Sequence, residues 1–154
     1  MVRLIYALVL VLLIATPSLG QQSVVGTYKL VSLDVQVDGK AYEQMGKAPF
    51  GYLIFTPTHY IYIITAENRK FGTSVDEKAA LLDSLAAYAG TYRVEGDKLF
   101  FNMEVMWTEQ GRGTTRVETF QLSGNRLTET LGPTAFPRDP SKTFIRKQVW
   151  EKIE

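Results

Sequence analysis

The stretch QQSVVGTYKLVSL, residues 21–33, follows directly on a run of apolar residues. Val24, Val25, Val31 and Leu33 give it the β-branched and aliphatic character of a strand, and Gly26-Thr27-Tyr28 interrupts that strand early. A glycine two residues before a large aromatic needs a structural reason. This stretch is expected to open a small β-barrel.

Upstream, Leu4 to Ala15 is an apolar run of about 12 residues behind Arg3, and Pro17-Ser18-Leu19-Gly20 ends in small residues. Residues 1–20 therefore read as a secretory signal peptide, cut after Gly20. The run falls short of the roughly 20 residues that cross a bilayer as a helix, so no stable membrane insertion is expected after cleavage. A secreted or periplasmic location follows. There is no cysteine in the 154 residues, which removes disulfides, thiolate metal sites and cysteine nucleophiles together. Cleavage removes Arg3, leaving 16 basic against 16 acidic residues. A balanced chain has no basic face for nucleic acid. The oligomeric state is not legible.

Downstream, no repeat or linker divides residues 21–154, which read as one domain. Strand signals recur between turn residues. Val24 to Val37 leads to Asp38-Gly39, a tight-hairpin dipeptide. Gly51–Thr56 and Tyr60–Thr65 pair across Pro57-Thr58-His59. Thr91–Val94 and Lys98–Trp107 pair across Glu95-Gly96-Asp97. Thr114–Leu122 and Arg126–Leu131 pair across Ser123-Gly124-Asn125. A loop with Pro133, Pro137 and Pro140 precedes a last strand, Thr143–Lys152. Eight strands with short links predict an all-β, antiparallel meander that removes its edges by closing. Ser74 with Glu77 forms a capping box, and Leu81, Leu85 and Tyr88 recur at helical spacing, with Gly90 as a stop. These predict one helix over about Val75 to Ala89, laying an oily face on the barrel.

The run LFFNMEVMW, residues 99–107, is apolar on both faces. Leu99, Phe101, Met103, Val105 and Trp107 share one face; Phe100, Asn102, Glu104 and Met106 share the other. Both faces are then covered, or one meets a ligand space in which a few polar atoms orient a small molecule. The parity stays open. Candidate walls drawn from both faces are Tyr52, Tyr62, Phe101, Met103, Trp107 and Phe120, with Asn102 or Glu104 as polar anchors. Tyrosine suits a cavity wall because it is apolar with one hydrogen-bonding tip. Glu118 and Arg116 share a strand face and read as a structural pair.

Catalytic signals are thin. His59 is the lone histidine, which gives no shared metal site, and there is no Gly-x-Ser-x-Gly elbow, dinucleotide fingerprint or phosphate loop. No cofactor is expected. Glu104 is the one carboxylate suspected of acid–base work, through desolvation on an oily strand.

In order and spacing, VVGTYKLVSL, GYLIFTPTHYIYI, AAYAGTYRVEGDKL, FQLSGNRLTET and VWEKI resemble the blocks of the lipocalin-like domain family, over about residues 24–153. The resemblance implies an eight-stranded up-and-down barrel with a central cavity for an apolar or amphipathic small molecule. It sets Gly26 and Tyr28 on the family's Gly-x-Trp positions, where the glycine bends the strand near the closed end and the aromatic plugs it. It sets Trp150 on the closing strand, and Tyr88, Gly90 and Tyr92 in the block after the helix. Two departures stand out. Tyr28 replaces tryptophan, and Phe101-Asn102-Met103-Glu104 replaces a His-His-Val-Glu-like run of which only the glutamate survives. The helix also precedes the fourth long strand, whereas true lipocalins place theirs after the last. The leading reading is a binding protein that leaves its ligand unchanged. An isomerase- or cyclase-type enzyme using Glu104, and a solid interaction module of an envelope assembly, are the alternatives.

Overall fold

Strand alternation decides the architecture. The computed structural model describes residues 23–154, so the segment read as a signal peptide lies outside the described residues. Along the chain run β1 (Gly26–Val37), β2 (Lys40–Ala41), β3 (Phe50–Phe55), β4 (His59–Thr65), α1 (Val75–Asp83), β5 (Leu85–Glu95), β6 (Lys98–Asn102), β7 (Val105–Met106), β8 (Thr115–Ser123), β9 (Arg126–Phe136) and β10 (Asp139–Lys152). The spatial order is β10-β9-β8-β6-β5-β4-β3-β1, and β10 pairs back onto β1. Eight main antiparallel strands thus close into a barrel, as the sequence predicts, with β2 and β7 as two-residue additions on β1 and β5. Among the described residues no helix is long and apolar enough to cross a membrane.

Inward side chains alternate along every strand. Tyr28 and Leu30 of β1, Leu53 and Phe55 of β3, Tyr60, Tyr62 and Ile64 of β4, Leu99 and Phe101 of β6, Leu127 of β9 and Trp150 of β10 are buried together. The aromatics fill one end of the barrel: Tyr28 meets Phe55 edge-on at 6.2 Å, and Phe55 stacks on Phe101 at 6.0 Å. The start of β1 and the C-terminal residues meet at this filled end. Thr27 N–H donates to Glu154 O (3.0 Å), and Ile153 N–H donates to Thr27 O (2.8 Å). That contact answers the question of Gly26, whose φ is +147°. A Cβ there would sit 2.6 Å from Glu154 O, so the glycine admits the C-terminal backbone. Tyr28, fully buried, plugs the end beside it.

Three expectations need correction. The helix stops at Asp83, and Leu85 to Ala89 belong to β5. The capping box is present, but no helix residue is buried. The spacing of Leu85 and Tyr88 fits a helix, yet Ala86, Tyr88, Gly90 and Tyr92 also alternate, and pairing of Ala86 with Ile64 and Tyr88 with Tyr62 decides for the strand. Secondly, the proline-bearing stretch is no loop, because β9 runs on to Phe136 and β10 starts at Asp139. Thirdly, Lys98 to Trp107 is not one strand. It breaks after Asn102, where the Asn102 carbonyl lies so close to Gly90 that a Cβ there would stand 2.0 Å from it. The parity is settled too: Leu99, Phe101 and Met103 point inward.

Candidate ligand cavity

The end of the barrel opposite Tyr28 and the C-terminus is open and leads to a cavity of about 880 Å³. Its upper wall is apolar, built from Leu33, Val35, Leu85, Ala86, Trp107 and Leu131. Aromatics ring the mouth: Tyr42 meets Phe136 at 5.3 Å, and Phe136 stacks on Phe144 at 5.8 Å. The segment 42–48 leans over the mouth and is held there by Glu67, whose carboxylate accepts from Lys47 N–H (2.8 Å) and Ala48 N–H (3.2 Å). Gln44 donates to Asp83 O (3.0 Å) at the end of α1.

The floor is charged. Tyr62 and Tyr88 stack at 4.1 Å, and the Arg116 guanidinium lies over the Tyr88 ring at 4.3 Å. Arg146 donates through Nη2 to Glu118 Oε1 (2.5 Å). Arg116 Nε lies 2.7 Å from the same oxygen without aiming its N–H at it, an ion contact only. Burial works against the Glu118 charge, but Arg146 and Arg116 outweigh it and hold the carboxyl below the usual carboxylate range. Glu129, buried on the neighbouring strand β9, accepts from the Trp150 indole N–H (2.8 Å). Burial, then the Glu118 charge, push its carboxyl up to about 8, so it is protonated at neutral pH. Gln148 donates to the Tyr62 hydroxyl (2.7 Å). Among the described residues the buried Tyr88 hydroxyl has no hydrogen-bond partner.

A closed antiparallel barrel is the architecture that the block pattern implies, and the family model for the lipocalin-like domain matches residues 25–153. The chain belongs to the lipocalin-like domain family. No curated protein matches the chain. In this lipocalin-like barrel Gly26 and Tyr28 serve the filled end, while the cavity floor joins Tyr62 of β4 and Tyr88 of β5 to the charged groups of β8, β9 and β10.

Of the residues singled out from sequence, Tyr62 and Trp107 line the cavity. Phe101, Met103 and Phe120 point inward but lie below it, packed into the filled end. Met103 Sδ accepts from the Tyr60 hydroxyl (3.1 Å). Tyr52 stands on the outer face of β3, edge-on to Phe50 at 5.3 Å. Asn102 faces outward as well, donating to Thr91 Oγ1 (3.0 Å) and accepting from Thr115 Oγ1 (2.9 Å). Glu104 is exposed and accepts from the Thr91 hydroxyl (2.7 Å) and N–H (3.1 Å), bonds that lower its pKa. A polar anchor or proton shuttle inside the barrel is therefore not what Asn102 or Glu104 supplies; the parity of β6 turns one outward, and the break turns the other out.

The residues missed are Arg146, Glu129 and Gln148. Their signal was present as alternation: Arg146, Gln148 and Trp150 share a face of β10, and Leu127, Glu129 and Leu131 share a face of β9. Arg116 and Glu118 were paired correctly, but on a face that lines the interior.

Proposed function

We propose that the protein is a secreted container that holds one apolar or amphipathic small molecule in the open half of its barrel and leaves it chemically unchanged. The observation that carries this reading is the cavity of about 880 Å³, within the range of roughly 300–1,000 Å³ usual for small-molecule sites. Its apolar upper wall and small set of buried polar groups match the composition of such sites. Membership of the lipocalin-like family supports the same reading, although fold alone does not fix function. The Glu104 enzyme alternative loses its basis, because that carboxylate lies on the outer surface.

Trp107 lines the cavity, so its fluorescence reports occupancy. Titration with a series of alkanols and aromatic hydrocarbons should give saturable quenching at one molecule per chain. Absence of saturable quenching across the series would remove the container reading.

A second reading has its own observation. Phe50, Ile61, Ile63 and Val105 are exposed on the outer wall of β3, β4 and β7, and the pairings Ile54–Ile61, Ile61–Ala89 and Ala89–Val105 make the patch continuous. Contiguous exposed apolar surface favours an interaction face. Sedimentation of the wild type against I61K/I63K distinguishes a self-associating wall from a merely exposed one.

A further inference from the structure

The cavity floor has more positive charge than it needs for its own balance. Arg116 and Arg146 both line the cavity and both contact Glu118, which neutralises one of them. Glu129 is buried beside this group and holds its proton at neutral pH, so it adds no second negative charge. One positive charge is left at the bottom of an apolar shaft. Water is partly excluded there, so this charge is felt more strongly than on a solvated surface. The ionisable groups at the mouth, Asp34, Glu43, Lys47, Asp83 and Arg138, are exposed, of both signs, and screened by solvent.

The donors are also unspent. Among the described residues the one hydrogen bond that either guanidinium donates is Arg146 Nη2 to Glu118. A guanidinium carries about five N–H donors in a planar fork suited to carboxylate. Tyr88 is 4% exposed and its ring lies under Arg116 on the same floor, while its hydroxyl is buried without a partner among the described residues. An unpartnered buried hydroxyl beside an arginine with free N–H groups is the donor set that an anionic oxygen pair lacks nothing to use. Resting on the container reading, we propose that the ligand carries a single anionic head group, a carboxylate, seated on Arg116, Arg146 and the Tyr88 hydroxyl, with its apolar part running up past Trp107 to the aromatic mouth. A residual charge of one favours a monoanion, and the apolar wall favours a chain or ring system over a small solvated acid.

Isothermal titration with dodecanoate, dodecanol and dodecyltrimethylammonium at pH 7.5, each below its aggregation concentration, tests the head group while holding the tail constant. Dodecanoate should bind at least tenfold tighter than dodecanol, and the ammonium most weakly. The R116M variant keeps the hydrogen-bonded Arg146–Glu118 pair and should lose at least tenfold in dodecanoate affinity, with a much smaller loss for dodecanol. Should that variant fail to fold, the wild-type series decides by itself, together with the carboxyl ¹³C shift of bound [1-¹³C]dodecanoate, which should report the ionised form on the floor. Dodecanol binding as tightly as dodecanoate would overturn the anionic subsite while leaving the container intact. Failure of all three to bind would overturn the container and the subsite with it.

Discussion

Glu129 ties the stability of the barrel to pH. Its carboxyl is raised to about 8 by burial and by Glu118, so the folded protein keeps a proton that the unfolded chain releases near the ordinary glutamate value. Between about pH 5 and 8 the folded state therefore binds more protons than the unfolded one, and stability falls as pH rises. Glu118 has the opposite sign: its lowered pKa gives stability that is lost only as pH falls through the carboxylate range. Urea denaturation of the wild type should lose about 1 kcal/mol per pH unit across the window set by Glu129. The E129Q variant, which keeps an acceptor for the Trp150 indole, should show a flat profile there and exceed the wild type at pH 8. An unchanged slope in E129Q would show that Glu129 ionises freely. At this scale the sequence was read only in part. The spacing of Phe101 and Met103 puts both on one strand face, but which face looks inward depends on neighbouring strands. Glu129 sits on the hairpin partner of β8, but only burial of that face brings it and Arg146 of β10 together with Glu118.

Two elements show how pairing overrides local preference. The stretch after Asp83 has helical spacing, yet its residues complete a ladder with β4 and bury Tyr88 against Tyr62. Gly90 within that ladder admits the Asn102 carbonyl where β6 breaks. The G90A variant should lose roughly 1–3 kcal/mol, the range for forcing a methyl into a filled site, measured by thermal or urea unfolding. Wild-type stability in G90A would mean that the carbonyl moves aside freely. The segment over the mouth depends on Glu67, whose two carboxylate oxygens cap Lys47 and Ala48. E67A should release that segment, raising hydrogen exchange at residues 43–48 and speeding ligand dissociation, with little change in global stability. The Gly-bounded strands and the capping box were legible because their signals are local. The β9–β10 hairpin was not, because its prolines lie in a terminal extension beyond the closed part of the sheet, where missing N–H donors cost little.

For the molecule as a whole, alternation and turn spacing were enough to predict a closed eight-stranded barrel, and β10 pairing with β1 completes it. How its interior divides was not legible, since volume is set by the sum of side chains from every strand. One end is solid with aromatics, and the other holds the cavity. In a container of this kind the ligand sits above Tyr62 and Tyr88, not on the outer apolar wall. Ala86 lines that space, and replacing it by tryptophan should fill the shaft, whereas I61K alters only the outer patch. Native mass spectrometry of the wild type, A86W and I61K with equimolar dodecanoate compares the two places directly. The account predicts one bound molecule per chain in the wild type and I61K and none in folded A86W. Equal occupancy in A86W and the wild type, or loss confined to I61K, would contradict it.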